Sequence, residues 1–210
     1  KGKRLTGIFD NCTGQNKNNN VLRLAPFLVD AGYFEEVEFL FYVRGHTKNV
    51  CDRTYNLMKI RFNDRQVWTF RQLCSVLAEQ PDVTVHPCVP ADFLDFEKMH
   101  EQFYTKYKNN TIIPNHIFRA KSSSPRGTVA TQTDTSTAEV LQSIRLTGGS
   151  ETDAERATRM LDVIKNQMVQ LEPPGLKEIK IVELATKWRK FVPAELQDEI
   201  CPVPSQELLN

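Results

Sequence analysis

Two short apolar runs, Leu5 to Asp10 and Glu36 to Arg44, bracket a segment whose apolar residues fall at Val21, Leu24, Ala25, Leu28 and Val29. That i, i+3, i+4, i+7, i+8 spacing is one face of a helix. The stretch before it, Asn11 to Asn20, holds five Asn with Gly14 and Gln15, residues that make turns and cap helices. Gly32 supplies the stop signal at the other end. Strand, helix and strand at this spacing form a βαβ unit, which demands parallel strands joined by a right-handed crossover. In the second run Val37, Phe39, Phe41 and Val43 alternate on one face, while Leu40 and Tyr42 make the other face apolar. The expectation is a strand covered on both sides.

Beyond this unit the pattern predicts a helix from about Asp52 to Arg61, carrying Tyr55, Met58 and Ile60. A short strand is expected at Val67 to Thr69, with Thr69 capping a helix from Phe70 to Glu79. Val83 to His86 reads as a strand, and Ala91 to Tyr107 as a helix with Phe93, Phe96, Met99 and Phe103 on one face. Ile112 to Ala120 reads as a last strand, placed on an edge because Pro114 interrupts it. From Ser122 to Thr137 the chain is rich in Ser and Thr and nearly free of large apolar residues, which predicts a flexible linker. Two helical patterns follow, Glu151 to Leu171 and Leu176 to Phe191, parted by Pro173-Pro174-Gly175. The organisation expected is an α/β part over 1–121, a linker over 122–150 and a helical tail over 151–210.

Charge narrows the range of functions. With 27 basic and 26 acidic residues, net charge is +1, so any contact with nucleic acid has to come from a local patch. The second C-terminal helix offers one, with Lys177, Lys180, Lys187, Arg189 and Lys190, although such a face is usually only solvated. No apolar run reaches the ~18 residues that span a bilayer. The five cysteines, Cys12, Cys51, Cys74, Cys88 and Cys201, include no C-x-x-C pair, which supports neither a zinc ribbon nor a disulfide framework. A reducing, intracellular setting is expected. Two glycosylation-type triplets, at Asn11 and Asn109, are short enough to arise by chance.

One constellation resembles a site. Asp10 ends the first strand, and ligands of open α/β sheets bind just beyond the carboxyl ends of parallel strands. After the second strand, Gly45-His46-Thr47-Lys48-Asn49 leads into Asp52 at a helix start. Carboxylates grouped this way suit divalent metal and phosphoryl chemistry. His46 could steer a proton or touch a phosphate, and Asn11, Gln15, Asn16, Lys17 and Lys48 could add backbone contacts. Taken singly, Asp10, Asp52 and His46 are more commonly capping or loop residues; together, in this order and on this topology, the site reading draws level.

Tyr42-Val43-Arg44-Gly45-His46 followed by Cys51-Asp52, with Asp10-Asn11 ending the preceding strand, resembles the ribonuclease H-like superfamily of transposase or integrase type. More finely, Asp10 to Asn18 and Gly45 to Asn49 resemble an uncharacterised family of mobile-element-derived proteins found in oomycetes and some animals. The similarity continues through Asp92 to Phe96, Asn115 to Phe118, Pro174 to Leu176 and Lys187 to Pro193.

The resemblance implies cleavage or strand transfer at phosphodiester bonds with magnesium or manganese. Asp10 and Asp52 are then metal ligands, His46 an accessory catalytic group, DNA rather than RNA the substrate, and the nucleus the location. It also implies a three-stranded antiparallel meander ahead of Leu5 that carries a further acidic ligand. The fold expected is thus α/β, a partial ribonuclease H-like βαβα core lacking those strands, followed by a small α/β extension, the linker and the helices. Such a chain is expected to be inactive alone and to need a preceding segment, a partner or self-association. The competing expectation is a non-catalytic nucleic-acid- or protein-binding module that kept the fold.

Overall fold

The computed structural model describes residues 3–42, 50–81, 83–146 and 151–205. In chain order its elements are β1 (Arg4–Phe9), α1 (Asn19–Asp30), β2 (Glu36–Phe41), α2 (Val50–Asn63), α3 (Phe70–Ala78), α4 (Phe96–Glu101), α5 (Asn109–Ile112), β3 (Ile117–Lys121), β4 (Thr128–Gln132), β5 (Val140–Ser143), α6 (Asp153–Asp162), α7 (Glu178–Glu183) and α8 (Gln197–Ile200). They fall into two compact units, 1–48 with 93–171 and 49–92 with 172–210.

The first unit is built on a five-stranded sheet in the order β1-β2-β3-β4-β5. β1 and β2 run parallel, Arg4 opposite Glu36 through Phe9 opposite Phe41, as the βαβ pattern requires. The remaining pairings are antiparallel. On one face Val37, Phe39, Phe41, Phe118, Ala120 and Val129 pack against Leu22, Ala25, Phe27 and Val29 of α1, with Met99, Phe103 and Met160 joining the same core. Asn18 caps α1 by accepting from the amides of Asn20 and Val21, and Gly32 follows the helix at φ 80°, where a Cβ would be strained.

The other face of the sheet is polar. Glu36 and Glu38 stand on it, Arg4 bonds Glu36 at 2.8 Å, and Arg119 donates to Glu38 and to Glu139. The apolar second face expected of β2 is therefore limited to Leu40, because two of its outward positions are carboxylates paired across the sheet.

The segment expected to be a linker is instead structural. β4 and β5 lie within it, and Thr131 and Val129 are fully buried. Thr131 hides its hydroxyl by donating to Val140 O, so a Thr-rich strand can sit in the sheet without an unpaired polar group. Gly127, at φ 69°, turns the chain into β4 where a side chain would collide with Arg145. β3 is accordingly interior, and Pro114 lies ahead of it.

The expected helix over Ala91 to Tyr107 reduces to α4. Before it, Leu94 bridges to Gln170; after it, Thr105 N donates to Ile144 O and the chain leaves helical geometry. α6 begins at a capping box, Thr152 with Glu155, and its Arg156 and Arg159 lie over the rings of Phe103 and Tyr104.

In the second unit α2 and α3 pair, with the Arg65 guanidinium on both carboxylate oxygens of Glu79 and Arg61 on the Glu79 carbonyl. α3 opens at a capping box of Thr69 and Gln72. The strands expected at 67–69 and 83–86 do not form: the amides of Trp68 and Thr69 go to Gln72 Oε1, and Val83 to His86 has no partner strand among the described residues. Arg189, expected on a basic face of the last helix, bonds inward to Gln197 O and Asp198. Among the described residues no helix is long and apolar enough to cross a membrane.

Candidate functional site

β1 delivers Asp10 one residue past its last paired position, exposed at the carboxyl end of the parallel pair. The loop that follows is wound tightly. Cys12 O accepts from the amides of Gln15, Asn16 and Lys17, and Asn18 Nδ2 reaches back to Gln15 O. Asp10 takes part through one oxygen: Oδ1 accepts from Asn16 Nδ2 at 2.6 Å and from Cys12 N at 3.3 Å. The neighbouring Asn11 Oδ1 is buried and has no hydrogen-bond partner among the described residues.

Three of the five loop asparagines spend their amides on the fold. Asn16 serves Asp10, and Asn18 caps α1. Asn19 clasps the backbone of Tyr107 through both side-chain atoms, at 2.7 and 3.3 Å.

Lys17 was expected to contact a nucleic-acid backbone, and the structure corrects this. It is 1% exposed, donates from Nζ to Ile113 O at 2.9 Å and lies 5.8 Å from the Phe41 ring centroid. Burial holds its ammonium below the usual lysine range. Four methylenes against the end of the sheet, and a carbonyl within reach, explain why a cation is tolerated there. Gln15 is exposed at the loop surface.

His116, which has no ligand-like spacing in the sequence, sits at this end of the sheet. Its Nδ1 is 3.1 Å from Phe41 O, and its amide donates to Gln132 O. Burial, and then the charge of Lys17, hold the imidazole below its ordinary range. The signal that could have found it is the antiparallel register: Leu40 opposite Ile117 puts the start of β3 beside the end of β2.

Asp52 lies in the first turn of α2, in the second unit, whereas Asp10 belongs to the first. Its position suits the helix dipole whatever else it does. His46 and Lys48 lie outside the described residues.

In donor chemistry this end of the sheet fits a hard divalent cation. Asp10 keeps Oδ2 outside its loop bonds, and Asn11 offers a buried, unpartnered carbonyl oxygen. Among the described residues, however, no three His, Cys, Asp or Glu side chains are grouped to hold a metal. Any complete ligand set draws on groups beyond this cluster.

Fold and site together define a mixed-sheet α/β protein with a carboxylate at the carboxyl end of its parallel pair. Residues 5–139 match the family model described as Domain of unknown function (DUF7869), and the chain belongs to that family. No curated protein and no solved structure matches it. The match runs from β1 through β4, and so includes the Ser/Thr-rich strand.

Proposed function

We propose that this chain is part of a transposase-like, ribonuclease H-like domain that cleaves or transfers phosphodiester bonds of DNA with magnesium or manganese, and that it is inactive alone. One observation carries the reading: Asp10 stands directly beyond the carboxyl end of a strand that is parallel to its βαβ partner. Open α/β sheets bind their ligands there. Asp10 would hold the ion through Oδ2 and Asn11 through its carbonyl oxygen; Asp52 is the second carboxylate that the resemblance assigns to metal. The metal would supply Lewis-acid stabilisation of the phosphoryl oxygens. Asn16 fixes the Asp10 carboxylate, and His46 is the accessory group for the proton. A nuclear location goes with DNA as substrate.

A second reading, a binding module that retains the fold without chemistry, is favoured by the bonds Asp10 makes within its own loop. Activity separates the two. In the intact protein, Asp52→Asn is expected to lower magnesium-dependent nicking of supercoiled DNA by about 10²-fold or more, as removal of a charge-stabilising group does. Undiminished nicking would overturn the assignment of Asp52.

A further inference from the structure

We propose that β1 is a self-complementary edge on which a second copy of this chain pairs antiparallel, about a two-fold axis at Gly7. The proposal does not rest on the nuclease reading. β1 is the terminal strand of the sheet, and α1 packs chiefly on β2 and β3. Leu5 and Phe9, on the same face as the core, are consequently only half-buried, and Ile8 on the other face is 52% exposed. The strand contains no proline, one of the devices that protect an open edge.

Hydrogen bonding and charge select one register. Lys3 O and Phe9 O accept from Glu35 and Tyr42 on the β2 side, so the odd-numbered residues of β1 are spent on the parallel ladder. Residues alternate in direction along a strand, and Arg4, Thr6 and Ile8 therefore turn their amides and carbonyls outward. An antiparallel copy must pair outward-facing residues with outward-facing residues and keep side chains on matching faces. Centred on Gly7, that rule sets Arg4 opposite Asp10 of the other copy, Thr6 opposite Ile8, and Leu5 opposite Phe9.

Arg4, which also bonds Glu36, and Asp10 thus meet across the axis, twice by symmetry, while Lys3 falls opposite Asn11. The two half-buried apolar residues cover each other. Glycine falls at the closest approach, where its own Phe9 ring already lies 2.7 Å from the site of any Cβ. No neighbouring register centred on this strand sets Arg4 opposite Asp10.

Sedimentation velocity of the whole chain, with hydrogen exchange, tests the proposal. The chain is expected to dimerise reversibly, and the amides of Arg4, Thr6 and Ile8 to gain protection in the dimer while those of Leu5, Gly7 and Phe9 are protected in both states. Thr6→Pro removes an outward amide and no β2 bond, so thermal stability should hold while the dimer dissociation constant rises about tenfold or more. Arg4→Glu, which sets two carboxylates opposite each other, should weaken the dimer without Pro chemistry. A monomer at every concentration up to about 1 mM overturns the proposal. So does a dimer indifferent to both substitutions, or one whose added protection lies away from β1, as it would if another segment covered this edge.

Discussion

Replacing Val129 with aspartate is expected to cost the first unit about 4 kcal/mol or more of stability, measured by denaturant unfolding. Val129 is fully buried on the core face of β4, between β3 and β5. A carboxylate there is desolvated among apolar side chains and displaces packing made with the α1 layer. The matched control is Thr135→Asp in the exposed turn after β4, expected to stay within about 0.5 kcal/mol. A flexible Ser/Thr linker would tolerate both substitutions alike. Equal, small effects would mean that β4 and β5 are not part of the sheet.

Acidification is the second large effect. His100 is 1% exposed, beside the rings of Phe27 and Phe96, and neither ring nitrogen has a hydrogen-bond partner among the described residues. Burial, and then the charge of Arg23, push its pKa down from 6.5 to about 4. The folded state thus resists a proton that the unfolded chain takes up. Stability is complete above pH 6.5 and is lost as pH falls from there to about 4, by roughly 3 kcal/mol in all.

Asp30 acts in the opposite sense. Burial raises its carboxyl above the ordinary value despite the bond donated by Tyr104 OH at 2.8 Å, so its protonation favours the fold as pH drops. His100→Phe isolates the histidine. The variant should match or exceed wild-type stability at pH 5, and its melting temperature should vary less between pH 7 and 4.5. An unchanged acid slope would place the lost stability elsewhere.

How far the sequence foretold this structure depends on whether an element carries its own signal. The βαβ unit was legible because Val21, Leu24, Ala25, Leu28 and Val29 repeat at helical spacing between two period-two strands. α3 was legible from Thr69, whose capping box sets the boundary. β4 and β5 were not, because their stability is non-local. Thr128, Thr131 and Ser143 are ordinary linker residues until Val129 and Thr131 meet the core. The helix over-read from Ala91 to Tyr107 had the right apolar period, yet the bonds from Leu171 N to Phe93 O and from Thr105 N to Ile144 O outcompete it.

The site was half legible for a similar reason. Asp10 announced itself by ending a strand. Lys17 did not reveal its burial, since only the fold brings Ile113 O and the Phe41 ring to it. His116 came from a distant segment through strand register alone.

The most direct test of the metal-site reading is a manganese titration followed by amide NMR. Manganese is paramagnetic and broadens signals near its ligands. The Asp10 and Asn11 signals are expected to broaden together at the same metal concentration. Asp10→Asn is expected to abolish the broadening at both, since this variant keeps Oδ1 for Asn16 and Cys12 and loses only the charge. No broadening at these residues, or broadening that Asp10→Asn leaves unchanged, would contradict it.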